Sequence, residues 1–187
     1  NNFNIIPLPH QVLTVNHVLE QFKPRCLIAD EVGLGKTIEA ALIYEELKMR
    51  KMVERVLIVV PSGLAKQWRD ELQTKFNEEF ILIDRNSLKA LKEVHGENNI
   101  WMQYDRVITS IDFVKPKITR DYQSLKMNER IDWHNTNVSE DCAYAQWDMV
   151  IFDEAHKLSK SSDGQETARY KIGKEISEKT PILLLLT

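Results

Sequence analysis

The residues best suited to chemistry lie in one stretch, Asp30-Glu31-Val32-Gly33-Leu34-Gly35-Lys36-Thr37, between a strand-like apolar run and a helix-favouring run. Glycines let a backbone bend and approach an anion, a lysine brings mobile positive charge, and a hydroxyl can ligate a metal ion. The amide groups that open the following helix also favour negative charge. The stretch therefore predicts a phosphate-binding loop in which Lys36 reaches the β and γ phosphates and Thr37 ligates Mg²⁺.

The generic loop pattern G-x-x-x-x-G-K-[ST] has a glycine where this chain has Asp30. A glycine-rich turn at the start of an ordinary helix is therefore an alternative interpretation of the stretch.

A second signal is the apolar run 149–152, which ends in Asp153-Glu154-Ala155-His156. Ligands bind at the carboxyl edge of a parallel sheet, so both acids are expected beside the loop. Asp153 would hold Mg²⁺, and Glu154 would orient or deprotonate the attacking water. An Asp-Glu pair can also cap a loop, but the pair together with the Gly-Lys-Thr stretch predicts ATP binding with Mg²⁺, and catalysis by Lys36, Asp153 and Glu154.

Strand and helix signals alternate along the chain, which predicts an α/β fold with a mostly parallel sheet. The strands are predicted at 26–29, 55–60, 80–83, 106–111, 149–152 and from 182 onward. The helices are predicted at 10–22, 37–50, 64–76, 87–94 and 164–178. Asp163 and Glu166 resemble a capping box for the last helix. Residues 115–146 lack a clear period and are interpreted as an insertion or long loop, with a helix at 121–130.

Composition limits the partners. Against 28 acidic residues there are 25 Lys and Arg, a net charge of −3, so any nucleic-acid contact must be local. Cys26 and Cys142 lie far apart, which fits a reducing compartment, and the histidines lack metal-ligand spacing, so no zinc site is expected. No apolar run approaches the ~20 residues that span a bilayer. We expect a cytoplasmic, nucleoid-associated protein without a membrane partner.

The stretch 30–37 and the tetrad 153–156 resemble motifs I and II of superfamily-two helicases, specifically the Swi/Snf-type double-stranded-DNA translocases, where Asp at the position of Asp30 is usual. Thr37-Ile38-Glu39-Ala40 is similar to the bacterial branch associated with RNA polymerase. The resemblance implies a RecA-like P-loop NTPase fold, a three-layer sandwich with helices on both faces of the sheet. It also implies ATP hydrolysis with Mg²⁺, and duplex DNA and RNA polymerase or another DNA-bound complex as partners.

Other segments match further motifs of that family. Pro9-His10-Gln11 resembles the upstream glutamine motif, which implies that Gln11 reads adenine; from the residues alone, Gln11 is a polar residue at a helix start. Pro61-Ser62-Gly63 resembles motif Ia and Thr109-Ser110 resembles motif Ib, which implies contacts to DNA phosphates. Leu184-Leu185-Leu186-Thr187 resembles the opening of motif III, which implies that Thr187 bonds toward His156 and couples ATP to DNA. Trp68, at helical spacing, is predicted to be a core residue.

The resemblance implies that residues 1–187 form the first RecA-like lobe, cut off at motif III, and that a second lobe supplies arginine fingers. The isolated chain is then expected to hydrolyse ATP slowly or not at all, since such arginines contribute roughly 10³–10⁵ in rate. Three alternatives remain: a strand-separating DEAH-type helicase, the motor subunit of a restriction or phage-defence system, and a nucleotide-gated module that binds a protein partner through 115–146.

Overall fold

The computed structural model describes residues 5–29, 35–120 and 122–187. Within these ranges six strands form one sheet, and all neighbouring strands are parallel. The strands are β1 (Arg25–Ile28), β2 (Val56–Val60), β3 (Ile81–Leu82), β4 (Arg106–Ser110), β5 (Met149–Phe152) and β6 (Ile182–Leu186). Their order across the sheet is β1-β6-β5-β2-β4-β3. Only β6 therefore separates β1, which leads to the predicted phosphate loop, from β5, which leads to Asp153.

Helices cover both faces of this sheet. They are α1 (Pro9–Leu19), α2 (Lys36–Met49), α3 (Ala65–Glu71), α4 (Arg85–His95), α5 (Ile111–Val114), α6 (Leu125–His134), α7 (Asp141–Ala143) and α8 (Ala168–Lys179). Side chains of α1, α2 and α3 pack in one core, and side chains of α4, α5, α7 and α8 pack in a second core. The predicted three-layer α/β sandwich is confirmed. No helix of the described ranges is both long and apolar enough to cross a bilayer.

Strand β2 shows why the sheet is parallel and central. All five of its residues are buried; Val56, Ile58 and Val60 face the first core, whereas Leu57 and Val59 face the second. A strand with apolar side chains on both faces needs a helical layer on each side, and crossover helices between parallel strands provide those layers. The same alternation in β5 carries the chain to Asp153 at the carboxyl edge.

The interpretation of 115–146 as a long loop is wrong for its second half. Helix α6, a π-helical turn (Asn135–Glu140) and α7 follow one another without a break. Val138 and Cys142 are fully buried in the second core. The predicted helix at 121–130 starts at Leu125 instead, after the N-cap Ser124, and Asp121 lies outside the described residues. The segment is therefore part of the domain core.

The predicted capping box at Asp163 is also wrong. Helix α8 begins at Ala168, and its N-cap is Thr167, whose side chain accepts a hydrogen bond from the Tyr170 N–H. The Asp163 carboxylate instead accepts hydrogen bonds from the Ser161 hydroxyl and the Gln165 N–H, which closes a turn. An aspartate followed by a glutamate three residues later can serve such a turn as readily as a helix start.

Candidate functional site

Gly35 lies in the predicted phosphate loop and is the N-cap of α2. Its backbone is left-handed, with φ 79° and ψ 43°, and a Cβ atom there would come within 2.5 Å of the Gln11 amide nitrogen. Both features require glycine. Asp30, Gly33 and Leu34, which were predicted to bind ATP, lie outside the described residues. The structure therefore shows the helix side of the loop.

Lys36 and Thr37 are the first two residues of α2, and both are half-buried at the carboxyl edge of the sheet. The first amide groups of a helix have no partner within it, and the helix dipole favours an anion there. Burial raises the pKa of Asp153, and the charge of Lys36 is a minor effect that opposes this rise. The structure thus brings the lysine of the first motif and the first acid of the second motif to one place.

Asp153 follows β5 and accepts two hydrogen bonds. Its Oδ2 accepts from the indole N–H of Trp68 at 3.0 Å, and its Oδ1 accepts from the Glu154 N–H at 2.9 Å. Burial raises the pKa of Asp153 above the usual range of an aspartate, while the bond from Trp68 opposes that rise. The two hydrogen bonds therefore fix the orientation of the carboxylate, while burial makes its negative charge unfavourable. Such an environment favours a nearby cation.

Sequence reasoning placed Trp68 in the core, and the structure confirms this, since only 3% of the residue is exposed. It missed the bond to Asp153. The sequence did contain a signal for this bond, because a buried indole N–H normally finds an acceptor. Asp153 was already expected at the carboxyl edge of the sheet.

Glu154, His156 and Thr187 form a chain of contacts beside Asp153. Glu154 Oε2 lies 3.2 Å from His156 Nε2, and His156 Nδ1 lies 3.1 Å from the Thr187 hydroxyl. A neutral imidazole that donates from Nε2 to the carboxylate accepts the threonine proton at Nδ1. The Thr187 N–H donates to the Ile28 carbonyl at 3.1 Å. The second motif is thereby linked through β6 to the strand that leads into the loop.

Glu154 adopts a left-handed backbone conformation with φ 53°. Such a conformation strains a residue other than glycine and is found often at functional sites. It turns the glutamate side chain toward His156.

Gln11 is buried, with 2% of the residue exposed. Its side-chain oxygen accepts a hydrogen bond from the Leu8 N–H at 2.8 Å, and its amide nitrogen donates to the Gly35 carbonyl at 3.4 Å. The glutamine therefore lies against the end of the loop. The reading of adenine by Gln11 stays a prediction.

The residues predicted to contact DNA fall into two groups. Pro61, Ser62 and Gly63 follow β2, and Ser110 ends β4; Ser62, Gly63 and Ser110 line one cavity of about 410 Å³, which we call the Ser62 cavity. Lys66, Asp84 and Asn86 line it as well. Thr109 does not reach this cavity: it is fully buried, and its hydroxyl donates to the Ile83 carbonyl at 2.7 Å.

The donor set suits Mg²⁺. Thr37 offers a hydroxyl and Asp153 a carboxylate, and Mg²⁺ prefers such oxygens together with substrate phosphates and water. Among the described residues there is no cluster of three His, Cys, Asp or Glu side chains that could hold a metal ion.

Comparison with known proteins gives consistent results. The SNF2-related domain family matches residues 10–177. RNA polymerase-associated protein RapA from Vibrio vulnificus strain CMCP6 is 34% identical over 180 residues, which cover 96% of this chain and 16% of that protein. RapA from Cronobacter sakazakii strain ATCC BAA-894 is 37% identical over 180 residues, with the same coverage. The chain thus spans 16% of the length of these relatives.

Solved structures share the fold. The Sulfolobus solfataricus SWI2/SNF2 ATPase core in complex with dsDNA has a TM-score of 0.67 at 20% identity and covers 100% of this chain and 32% of its own. The UvsW helicase from bacteriophage T4 has a TM-score of 0.60 at 15% identity, over 99% of this chain and 54% of its own. The RecA-like architecture expected from the sequence is confirmed. Because the family match covers most of the chain and relatives above 30% identity span 96% of it, the protein belongs to the SNF2-related domain family.

Proposed function

We propose that the chain binds ATP with Mg²⁺ at the carboxyl edge of its sheet and forms the first lobe of an ATP-driven motor that moves along duplex DNA. The observation that carries this proposal is the chain of contacts from Glu154 through His156 to Thr187, which lies beside Asp153 at the carboxyl edge of the sheet. Membership of the SNF2-related domain family supports it.

Each residue has a role that follows from its position. Lys36 would contact the terminal phosphates, while the Thr37 hydroxyl and the Asp153 carboxylate would hold Mg²⁺, which neutralises phosphate charge when bound. Glu154 would orient the attacking water and accept its proton. Gln11, Asp30, Gly33, Leu34 and Gly35 would complete the nucleotide site.

His156 and Thr187 would couple the nucleotide to the rest of the sheet. A shift of Glu154 on hydrolysis changes its contact with His156, and the imidazole transmits this change to Thr187 at the end of β6. Pro61, Ser62, Gly63 and Ser110 would hold the phosphates of one DNA strand through amides and hydroxyls, which position DNA without reading its sequence.

We further propose that a second lobe completes the motor, since the relatives are about six times as long as this chain. Both of these relatives are RNA polymerase-associated proteins by name, which supports RNA polymerase or another DNA-bound complex as a partner. A cytoplasmic, nucleoid-associated location follows from these partners.

Calorimetric titration with ADP and a non-hydrolysable ATP analogue in Mg²⁺ tests the nucleotide site. Binding should be lost in Lys36→Ala and retained in Glu154→Gln, because only the lysine contacts the phosphates directly. Circular dichroism should show both variants folded. Equal binding by Lys36→Ala and the parent chain would contradict the assignment of the loop.

DNA-stimulated ATP hydrolysis by the full-length protein tests the motor. Duplex DNA should raise turnover, and Glu154→Gln should abolish it. Turnover that does not respond to duplex DNA would favour a nucleotide-gated binding module instead.

A further inference from the structure

A second surface, outside the predicted DNA contacts, has the chemistry of a phosphate-backbone site. It is a groove of about 450 Å³ between α4 and α6, which we call the α4 groove. It is lined by Arg85, Leu88, Lys89, Lys92, Glu93 and Trp133. Three of these six side chains are cationic, although the chain as a whole carries a net charge of −3. The local excess of positive charge is therefore not a consequence of composition.

The cations lie along one face of α4. Arg85, Lys89 and Lys92 follow a spacing of four and three residues, which places them on one side of a helix over about 10 Å. One strand of duplex DNA carries a phosphate per ~3.4 Å of its axis, so this length matches about three phosphates. The spacing fits a run of phosphates better than a single anion.

Among the described residues, Glu93 and Asp141 lie near this face; burial raises the pKa of Asp141, and the charge of Lys92 opposes that rise. Glu93 lies 3.9 Å from Lys89, but both side chains are largely exposed, 89% for the lysine and 68% for the glutamate, so the pair is weak. In the described part of the chain no acidic side chain lies within ion-pair distance of Arg85. Lys117, on the segment that leads to α6, adds a further cation: burial and the charge of Arg85 lower the pKa of Lys117. Like charges are thus held close together, as expected where an anionic partner binds.

Trp133 forms the opposite wall. It is 45% exposed, and the Lys92 ammonium lies 5.8 Å from the centre of its ring. Lys92 also donates to Asn137 Oδ1 at 3.3 Å. These contacts hold the ammonium at the groove rather than leaving it to move freely. This wall belongs to the segment 115–146, which contributes no residue to the proposed nucleotide site.

The α4 groove lies next to the Ser62 cavity, on the other side of the first turn of α4. Asp84 and Asn86 line that cavity, and Arg85 between them lines the groove, so the first turn of α4 separates the two. A duplex whose backbone lies in the Ser62 cavity would therefore pass along α4.

We propose that the α4 groove is an additional duplex-DNA site, in which Arg85, Lys89 and Lys92 bind the phosphate backbone beyond the Ser62 cavity. The proposal rests on the proposed function in one respect, since it takes DNA to lie in that cavity. It assigns a role to the segment 115–146, which supplies Trp133.

Fluorescence anisotropy with a short labelled duplex at several salt concentrations tests the proposal. The variant Arg85→Gln/Lys89→Gln should bind several-fold more weakly, and the slope of log affinity against log salt should fall in magnitude by about 1.8, since each lost phosphate contact contributes ~0.9. Lys23→Glu is the control, because Lys23 is exposed before β1 at the opposite edge of the sheet. It should bind as the parent does.

The variant Gly63→Glu distinguishes failure of the α4 groove proposal from failure of the proposed DNA contacts in the Ser62 cavity. Nothing lies within 4 Å of a Cβ built at Gly63, so the new carboxylate is tolerated and repels phosphates in the Ser62 cavity. If Gly63→Glu loses binding and the double variant does not, the groove is overturned and the Ser62 cavity stands. If only the double variant loses binding, the groove stands and the Ser62 cavity fails.

Tryptophan fluorescence gives an independent readout. Trp68, Trp101 and Trp147 are buried, whereas Trp133 is exposed at the groove. Duplex DNA should change the emission of the parent chain, and Trp133→Phe should remove that change. A polyglutamate peptide is the competing ligand: if its binding depends on Arg85 and Lys89 while duplex binding does not, the groove takes an acidic protein segment and the DNA proposal is overturned.

Discussion

The indole N–H of Trp68 decides how readily Asp153 ionises. Burial raises the pKa of this carboxyl, and the bond from Trp68 to Oδ2 opposes the rise. In Trp68→Phe the pKa of Asp153 should therefore be higher still. A hydrogen bond to a charged group is worth ~1.5–3 kcal/mol, so its loss should make the affinity for ADP with Mg²⁺ fall over a pH range in which the parent still binds fully.

The pH dependence has a definite sign. Mg²⁺ binds the ionised carboxylate, so affinity falls as the pH drops through the pKa of Asp153. The fall should occur at a higher pH in Trp68→Phe than in the parent, as calorimetric titration across a pH series would show. Trp101→Phe is the matched control, because its buried indole N–H has no hydrogen-bond acceptor in the described structure. Identical pH profiles for Trp68→Phe and the parent would contradict the role given to the indole.

The segment from α6 to α7 contributes to the core. The free energy gained by burying its apolar side chains should therefore be measurable. Val138 is fully buried in the second core. Val138→Ala should lower the free energy of unfolding by about 2 kcal/mol, from ~0.8 kcal/mol for each buried methylene and the cavity left behind. Urea denaturation would measure this loss.

Leu125→Ala, at the start of the same segment, is the control. Leu125 is 76% exposed, so its truncation should change stability by less than ~0.5 kcal/mol. A similar, small effect of both substitutions would show that the segment folds independently of the core.

The same segment marks the limit of prediction from sequence. Strands β2 and β5 were predictable because continuous apolar runs that end in polar residues indicate buried parallel strands. The helix expected at 121–130 overlaps α6, but the helical stretch 131–143 was not predicted, since the π-helical turn 135–140 shifts the angular spacing of side chains and breaks the period of 3.6 residues.

At the candidate site, Lys36, Asp153 and His156 could be predicted because each lies directly beyond a recognisable strand or at the start of a helix. The bond from Trp68 to Asp153 joins residues 85 positions apart. Only the packing of α3 against the sheet brings them together, and no local pattern records that packing.

Across the whole molecule, the carboxyl edge of the sheet carries two surfaces that must communicate if the chain works in a motor. The candidate nucleotide site ends at Asp153 and Glu154, and the Ser62 cavity lies beyond β2 on the other side. Strand β6 lies between β1 and β5, and Thr187 at its end contacts both the His156 ring and the Ile28 carbonyl. The Thr187 hydroxyl and N–H thus connect His156, beyond β5, with Ile28 of β1 across the candidate nucleotide site.

Thr187→Val keeps the shape of this side chain and removes only its hydroxyl. Binding of ADP with Mg²⁺ should stay within about twofold of the parent. Stimulation of ATP hydrolysis by duplex DNA in the full-length protein should fall roughly tenfold, because the coupling loses one hydrogen bond of ~1.4 kcal/mol. Thr180→Val is the matched control. It removes a hydroxyl just before the start of β6, where that hydroxyl donates to the Ile176 carbonyl at 2.7 Å. That control should lower stability by about 1 kcal/mol and leave the ratio of stimulated to basal turnover unchanged. A ratio that is unchanged in Thr187→Val as well would mean that the contact with His156 only stabilises the fold.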